Sequence, residues 1–165
     1  MKEGVFSMRR KELEVKDINE ILDIMSKCDV CRIALHDDEY PYVLPLNFGF
    51  ETVDSIIYIY FHGALEGKKY DLMRKNNKAG FEMDYVHNVV IREKTGFATT
   101  EFESVMGNGV IDFIEGEQKL RALKILVKQY YKDDDFKIDI SDVPRTCVFR
   151  LTVNEISGKR KILKK

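Results

Sequence analysis

The sequence predicts a mainly β fold, an antiparallel barrel capped by helices, and three observations carry that prediction. About six short apolar or alternating runs, punctuated by Gly, Asn and Asp, read as strands. Apolar stripes at helical spacing lie between and beside them. No internal repeat, low-complexity tract or linker divides the 165 residues, a natural length for one domain with a real core. Residues 1–165 are therefore read as a single domain.

Near the N-terminus, Arg9 and Arg10 read as a solvated arm and not as a clamp over a ligand. Asp17 is a good N-cap, and Glu20 three residues on completes a capping-box pattern. Ile18, Ile21, Leu22 and Met25 then form an apolar stripe, so a helix is expected over 17–27. A strand over 30–35 ends in the polar turn His36-Asp37-Asp38-Glu39. Over 41–50, Leu44, Leu46, Phe48 and Phe50 take one strand face; Val43, Pro45, Asn47 and Gly49 take the other. The first is a core face. The second is nearly bare, and Pro45 and Gly49 suit an edge or a bulge better than a central strand. Such a strip is either a plain bulged edge or a place where a flat ligand lies close to the backbone.

After a turn near 51–54, residues 56–61 are apolar at every position, which implies burial on both faces. His62, Gly63 and Ala64 follow, then a helix start bearing Lys68 and Lys69 and a stop at Asn76-Asn77. At helical spacing Leu65, Lys69, Leu72 and Met73 share one face. Lys69 thus sits on the packed side, where an ammonium needs an anion or must reach water. Free N–H groups at a helix start, the flexible Gly63 and Gly67, and two lysines suit a phosphate; a solvent-facing lysine pair is the alternative. Taken with the bare strand, they describe a flat aromatic ligand with a phosphate tail.

Ala79, Phe81, Met83 and Tyr85 alternate with Gly80, Glu82 and Asp84, as in a half-buried strand. Residues 86–100 carry mixed charge and Gly96, and read as a loop serving as a lid or subunit contact. The run 102–114 is a long strand in which Gly107 and Gly109 mark a bulge or close backbone approach. Gly107-Asn108-Gly109 is no dinucleotide fingerprint: it lacks the third glycine and does not join a strand to a helix. A core helix is expected over 117–131, with Leu120, Leu123, Val127, Tyr130 and Tyr131 inward and Lys119, Lys124, Lys128 and Lys132 solvated. Residues 133–143 form an acidic loop, and Cys147, Phe149, Leu151 and Val153 a last strand. The basic end, Lys159-Arg160-Lys161 with Lys164 and Lys165, reads as a solvated tail; a supplementary phosphate contact is its alternative.

Composition narrows the function classes. A net charge of −1 gives no field toward nucleic acid or an anionic membrane. No run approaches the roughly 20 apolar residues of a membrane span, and residues 1–13 lack the apolar core of a signal peptide, so a cytoplasmic location is expected. Three cysteines argue against a disulfide framework. Cys28-Asp-Val-Cys31 spells C-x-x-C, but a structural zinc would need two more ligands from Cys147, His36, His62 and His87. The pair also follows a helix and opens a strand, the reverse of a redox motif. Both cysteines are read as small hydrophobes, and no metal is expected.

The segments Pro41-Tyr-Val-Leu-Pro-Leu-Asn-Phe-Gly-Phe50 and Tyr60-Phe-His-Gly-Ala-Leu-Glu-Gly-Lys-Lys-Tyr-Asp71 resemble the FMN-binding split-barrel proteins of the pyridoxamine 5'-phosphate oxidase superfamily, on its nitroimidazole-resistance (Nim-like) branch. Met8-Arg-Arg-Lys-Glu, the helices over 17–27 and 117–131, Glu103-Ser-Val-Met-Gly-Asn-Gly109 and Ile156-Ser-Gly-Lys-Arg160 are similar too, so nearly the whole chain is covered.

The resemblance implies an antiparallel, Greek-key-like split β-barrel that binds FMN, as a homodimer with the flavin between subunits. It implies that the ring lies against Tyr42, Val43, Leu44, Pro45, Leu46 and Asn47, and against Phe61, His62, Gly63 and Ala64. Lys68 and Lys69 would hold the phosphate, and Ser104 would add a hydroxyl by its analogous position on a partner strand. His62 would face the active site, where its pKa range suits proton transfer beside a reducible ring; its alternative is a histidine that merely ends a strand. The implied activity is transfer of electrons from reduced FMN to a small acceptor, nitroaromatics among the candidates. Two alternatives stand beside it: a flavin-binding or storage module without turnover, and pyridoxamine 5'-phosphate oxidation. The chain departs from the last pattern, with Asn47 where such oxidases carry a basic residue and no arginine-rich motif near Ser157-Gly-Lys-Arg-Lys-Ile.

Overall fold

Residues 9–131 and 136–163 are described by a computed structural model of the chain; Met8, Lys132, residues 133–135, Lys164 and Lys165 lie outside the described residues. Asp17 caps α1 (Ile18–Lys27), its carboxylate accepting from Asn19 N–H at 2.8 Å. Glu20 does not complete the box expected of it and turns instead to Arg160, 2.7 Å away.

Among the described residues eight strands, more than the half dozen expected, build one antiparallel sheet. They are β1 (Glu14–Val15), β2 (Cys31–Leu35), β3 (Tyr42–Leu46), β4 (Phe48–Val53), β5 (Ile56–Gly63), β6 (Lys78–Arg92), β7 (Phe97–Ile114) and β8 (Cys147–Lys161). The order is β3-β2-β6-β7-β8-β5-β4, with β1 on β8. The two ends of this path, β3 and β4, are consecutive in sequence and separated only by Asn47. Residues 41–50 are thus not one strand: up to Leu46 the chain pairs with β2, and from Phe48 it pairs with β5. Pro45 has no N–H for a second ladder, which suits the place where the sheet parts. The architecture is a split barrel.

The expected inward face holds through the break. Phe48 is buried, and Leu44, Leu46 and Phe50 pack on the same core, together with Ile21, Ile24 and Met25 of α1. On the other face Val43, Pro45 and Asn47 are exposed, but Gly49 is buried because α3 (Glu117–Tyr130) crosses it. A Cβ at Gly49 would lie 2.5 Å from the Ile125 carbonyl oxygen. Its bareness serves helix packing. The same helix explains the continuous apolarity of β5: Ile57, Ile59 and Phe61 enter the main core, while Tyr60 enters a second cluster with Ala122, Leu123 and Val148.

Four expectations need correction. Residues 86–100 are no loop: β6 and β7 run on as a hairpin arm that turns at Glu93–Thr95 and Gly96. Val89 and Ile91 are 60% and 66% exposed there, so neither face is buried and no alternation marks the strand. Lys159-Arg160-Lys161 is not a tail but the end of β8, held by Arg160 on Glu103 and Lys161 on Thr99. Lys119 is only 8% exposed and shares the buried side of α3 with Ala122, Leu123 and Leu126. Leu65 is exposed and precedes α2 (Lys68–Lys75), whose buried residues are Tyr70, Leu72 and Met73. The β7 bulge is where the glycines put it: register slips between Asn108 and Gly109, and Gly107 and Gly109 press on the carbonyls of Glu155 and Thr152.

Cys28 and Cys31 sit in the main core as small hydrophobes, and burial pushes the Cys28 thiol up to about 12. Among the described residues no helix is long and apolar enough to cross a membrane.

Candidate functional site

Where β3 parts from β4 it becomes an end strand, and its outer row of N–H and C=O groups has no ladder among the described residues. Across from it stand the end of β5, with His62 and Gly63, and the start of α2. Gly67, at φ 144°, lets the chain turn into that helix, and among the described residues no side chain caps the first turn.

A ring of contacts closes one groove. Lys68 Nζ lies 5.4 Å from the centroid of the Tyr42 ring and 2.7 Å from Asp37 Oδ2. Lys69 runs beside Gly63, where a Cβ would meet its Nζ at 3.2 Å and the Tyr70 hydroxyl at 2.7 Å. The Lys69 ammonium also sits 4.5 Å from the Tyr70 ring centroid, and its charge reaches His62. His62 and Asn47 line one cavity of about 380 Å³, which returns the ring to β3. Tyr42, Asn47, His62, Gly63, Lys68 and Lys69 thus rim a single groove.

Its electrostatics are cationic and uneven. Lys68 is neutralised by Asp37, whose hydrogen bond raises the lysine pKa. Lys69 meets no carboxylate among the described residues. His62 is exposed, yet the surrounding protein, and after it the Lys69 charge, lower its pKa, so the ring is neutral near pH 7. Among the described residues the buried Tyr70 hydroxyl has no well-formed hydrogen bond; burial, then the neighbouring Cys147 thiol, push its pKa up.

The other residues expected at a ligand divide in two. Phe61 is fully buried and Leu44 and Leu46 pack on the core, so these three can offer only backbone to the groove. Val43, Pro45 and Ala64 are exposed. Ser104 is elsewhere: on β7 it pairs with Asp84 and Lys159, three strand positions from β3, roughly 14 Å across the sheet. Within one chain it does not join the groove. Sequence reasoning missed Asp37, although the acidic turn beside β3 hinted at a lysine partner. It also missed Phe136, and it read Tyr130 and Tyr131 as core when both are substantially exposed.

Comparisons with known proteins agree with this geometry. The sequence profile of the family described as Pyridoxamine 5'-phosphate oxidase matches residues 17–160. Among solved structures, a candidate 5-nitroimidazole antibiotic resistance protein of Bacteroides thetaiotaomicron is 30% identical, with 89% of this chain and 86% of that one covered and a TM-score of 0.76. A flavocytochrome of Azotobacter vinelandii is 19% identical over 96% and 75% of the two chains (TM-score 0.77). An FAD-binding protein of Mesorhizobium loti is 20% identical over 89% and 96% (TM-score 0.62). These last two share the fold. A search of curated protein sequences found no match. The parted barrel, the glycine elbow with its paired lysines and these matches together show that the chain belongs to the pyridoxamine 5'-phosphate oxidase family, on its nitroimidazole-resistance-like branch.

Proposed function

We propose that the chain is a flavin-dependent oxidoreductase that binds FMN in this groove and passes electrons to a small acceptor, nitroaromatics being the favoured class. The observation that carries the reading is the unmatched ammonium of Lys69, beside Gly63 and at the uncapped start of α2. A dianionic phosphate fits that donor set of two ammonium groups and free helix N–H groups. The open edge of β3 offers peptide N–H and C=O groups to the rim of a flat ring, as a heteroaromatic edge requires. FMN, when bound, would supply the hydride or electron transfer. The chain's own share is to hold, orient and move a proton: neutral His62 can donate from its ring N–H beside the groove.

The names of the relatives support this reading. The flavocytochrome and the FAD-binding protein share the fold, and the relative at 30% identity is named for 5-nitroimidazole resistance. In the same proposal two copies pair with the flavin between them, for which the exposed apolar residues Val89, Ile91 and Phe97 of the hairpin arm are suited. Reduced, buried Cys28 and Cys31 suit a cytoplasmic setting.

The test is the absorption spectrum of the purified protein, mass spectrometry of any released chromophore, and anaerobic reduction followed by reoxidation with a nitroaromatic. A bound FMN reoxidised by the acceptor is expected. A colourless protein that does not quench added FMN fluorescence would refute the proposal. A flavin that no donor reduces would leave a binding module without turnover.

A further inference from the structure

We infer that the cavity joining His62 and Asn47 to the end of α3 is the acceptor pocket, built to take a planar aromatic molecule bearing a hydrogen-bond-accepting oxygen. This rests on the flavin reading, because the cavity shares those two residues with the groove. Its volume of about 380 Å³ admits one or two rings, near the lower end for small-molecule sites. One wall is Leu126, Val127 and Tyr130; the other is Tyr131 and Phe136, whose rings meet edge to face with centroids 5.6 Å apart. Each of those two rings is 49% exposed, so aromatic surface is left open where a flat guest would cover it.

The wall is held rigid. Tyr130 accepts a hydrogen bond from Phe48 N–H at 2.8 Å and donates to the Asp29 carbonyl at 2.9 Å. Gln129 donates to the carbonyls of Met25 and Cys28 at 3.1 and 3.0 Å. These bonds pin the end of α3 to the end of α1 and the start of β4, so ordering costs on binding are small. The polar groups are those a nitro or carbonyl oxygen needs. The His62 ring makes no hydrogen bond among the described residues, and the Asn47 amide makes only a long one, 3.5 Å, to the Asp29 carbonyl. Among the described residues no carboxylate lines the cavity. The larger cavity, about 760 Å³ beside the β2–β3 turn, is a poorer candidate: its Asp37 and Asp38 are already paired with Lys68 and Lys75.

The experiment titrates 4-nitrobenzamide and the non-planar cyclohexanecarboxamide into FMN-loaded and flavin-free protein, by calorimetry and saturation-transfer NMR. FMN affinity is measured on the same preparations by fluorescence quenching. The aromatic probe is expected to bind at least tenfold tighter than its saturated analogue. Tyr131→Ala and Phe136→Ala should weaken it at least tenfold with FMN affinity within twofold of wild type. Tyr131→Phe, which keeps the ring and guards against misfolding, should retain the probe. Equal binding of the two probes, or undiminished binding in both alanine variants, overturns the pocket while flavin binding stands. Failure of FMN to bind, with probe binding still lost in the variants, overturns the flavin reading and leaves the pocket in place.

Discussion

Gly49 of β4 and Leu126 of α3 meet backbone to backbone, with the Ile125 carbonyl beside them and no room for a single methyl group. That contact sets how closely the helix lies on the strand, and so where its last turn stands over Asn47 and His62. Gly49→Ala should therefore destabilise by overpacking, by about 1–3 kcal/mol, and lower Tm by roughly 3–10 °C. A thermal unfolding curve checks it. An unchanged midpoint would mean that the helix slides without cost.

The two lysines of the groove are not equivalent. Lys68 already has Asp37 at 2.7 Å, whereas Lys69 meets no carboxylate among the described residues. Lys69→Ala should weaken FMN about ten- to a hundredfold, the worth of a charge-assisted phosphate contact, and Lys68→Ala should cost less. Asp37→Asn should act in the other direction. By releasing an exposed ion pair it should tighten FMN about two- to fivefold. Fluorescence quenching titrations give all three numbers, and an affinity loss larger for Lys68 than for Lys69 would reverse the assignment.

His62 should titrate below the ordinary histidine range, chiefly because surrounding protein disfavours its charged form and secondly because Lys69 is positive. Lys69→Gln should move the midpoint up without restoring the free value, since the desolvating effect of the surrounding protein remains. Proton NMR of the ring hydrogens reads this directly. No movement on removing Lys69 would show that the two groups do not share one site.

Alternation was legible wherever one strand face meets the core, as in Ala79, Phe81 and Met83 or in Phe149 and Leu151. It misled at Asn47 for a physical reason: Leu44, Leu46, Phe48 and Phe50 keep one period straight through the break, and a change of pairing partner leaves no mark on side-chain spacing. The hairpin arm was unreadable because neither of its faces is buried. Within the site, His62, Gly63 and the lysines were legible because they are neighbours in sequence. Asp37 and Phe136 were not, because only the fold brings the acidic turn and the segment after α3 to the same groove.

Glu103 ties α1, the hairpin arm and β8 together from a site only 2% exposed. Burial alone would raise its pKa, but Arg160 Nε at 2.5 Å, Lys27 Nζ at 3.1 Å and His87 Nε2 at 2.7 Å hold it at about 2. A carboxyl depressed in the folded chain binds fewer protons there than in the unfolded chain, whose value is about 4.3. Its stabilisation is therefore complete above about pH 5 and is lost as pH falls from there toward 2, by about 3 kcal/mol in all. Glu103→Gln should remove that acid-dependent step. It should also cost roughly 3 kcal/mol at pH 7, because Arg160 and Lys27 lose a buried partner. Thermal midpoints of both proteins between pH 7 and pH 2.5 decide the matter: the wild-type curve should fall more steeply below pH 5, and two parallel curves would show that Glu103 is not the group being protonated.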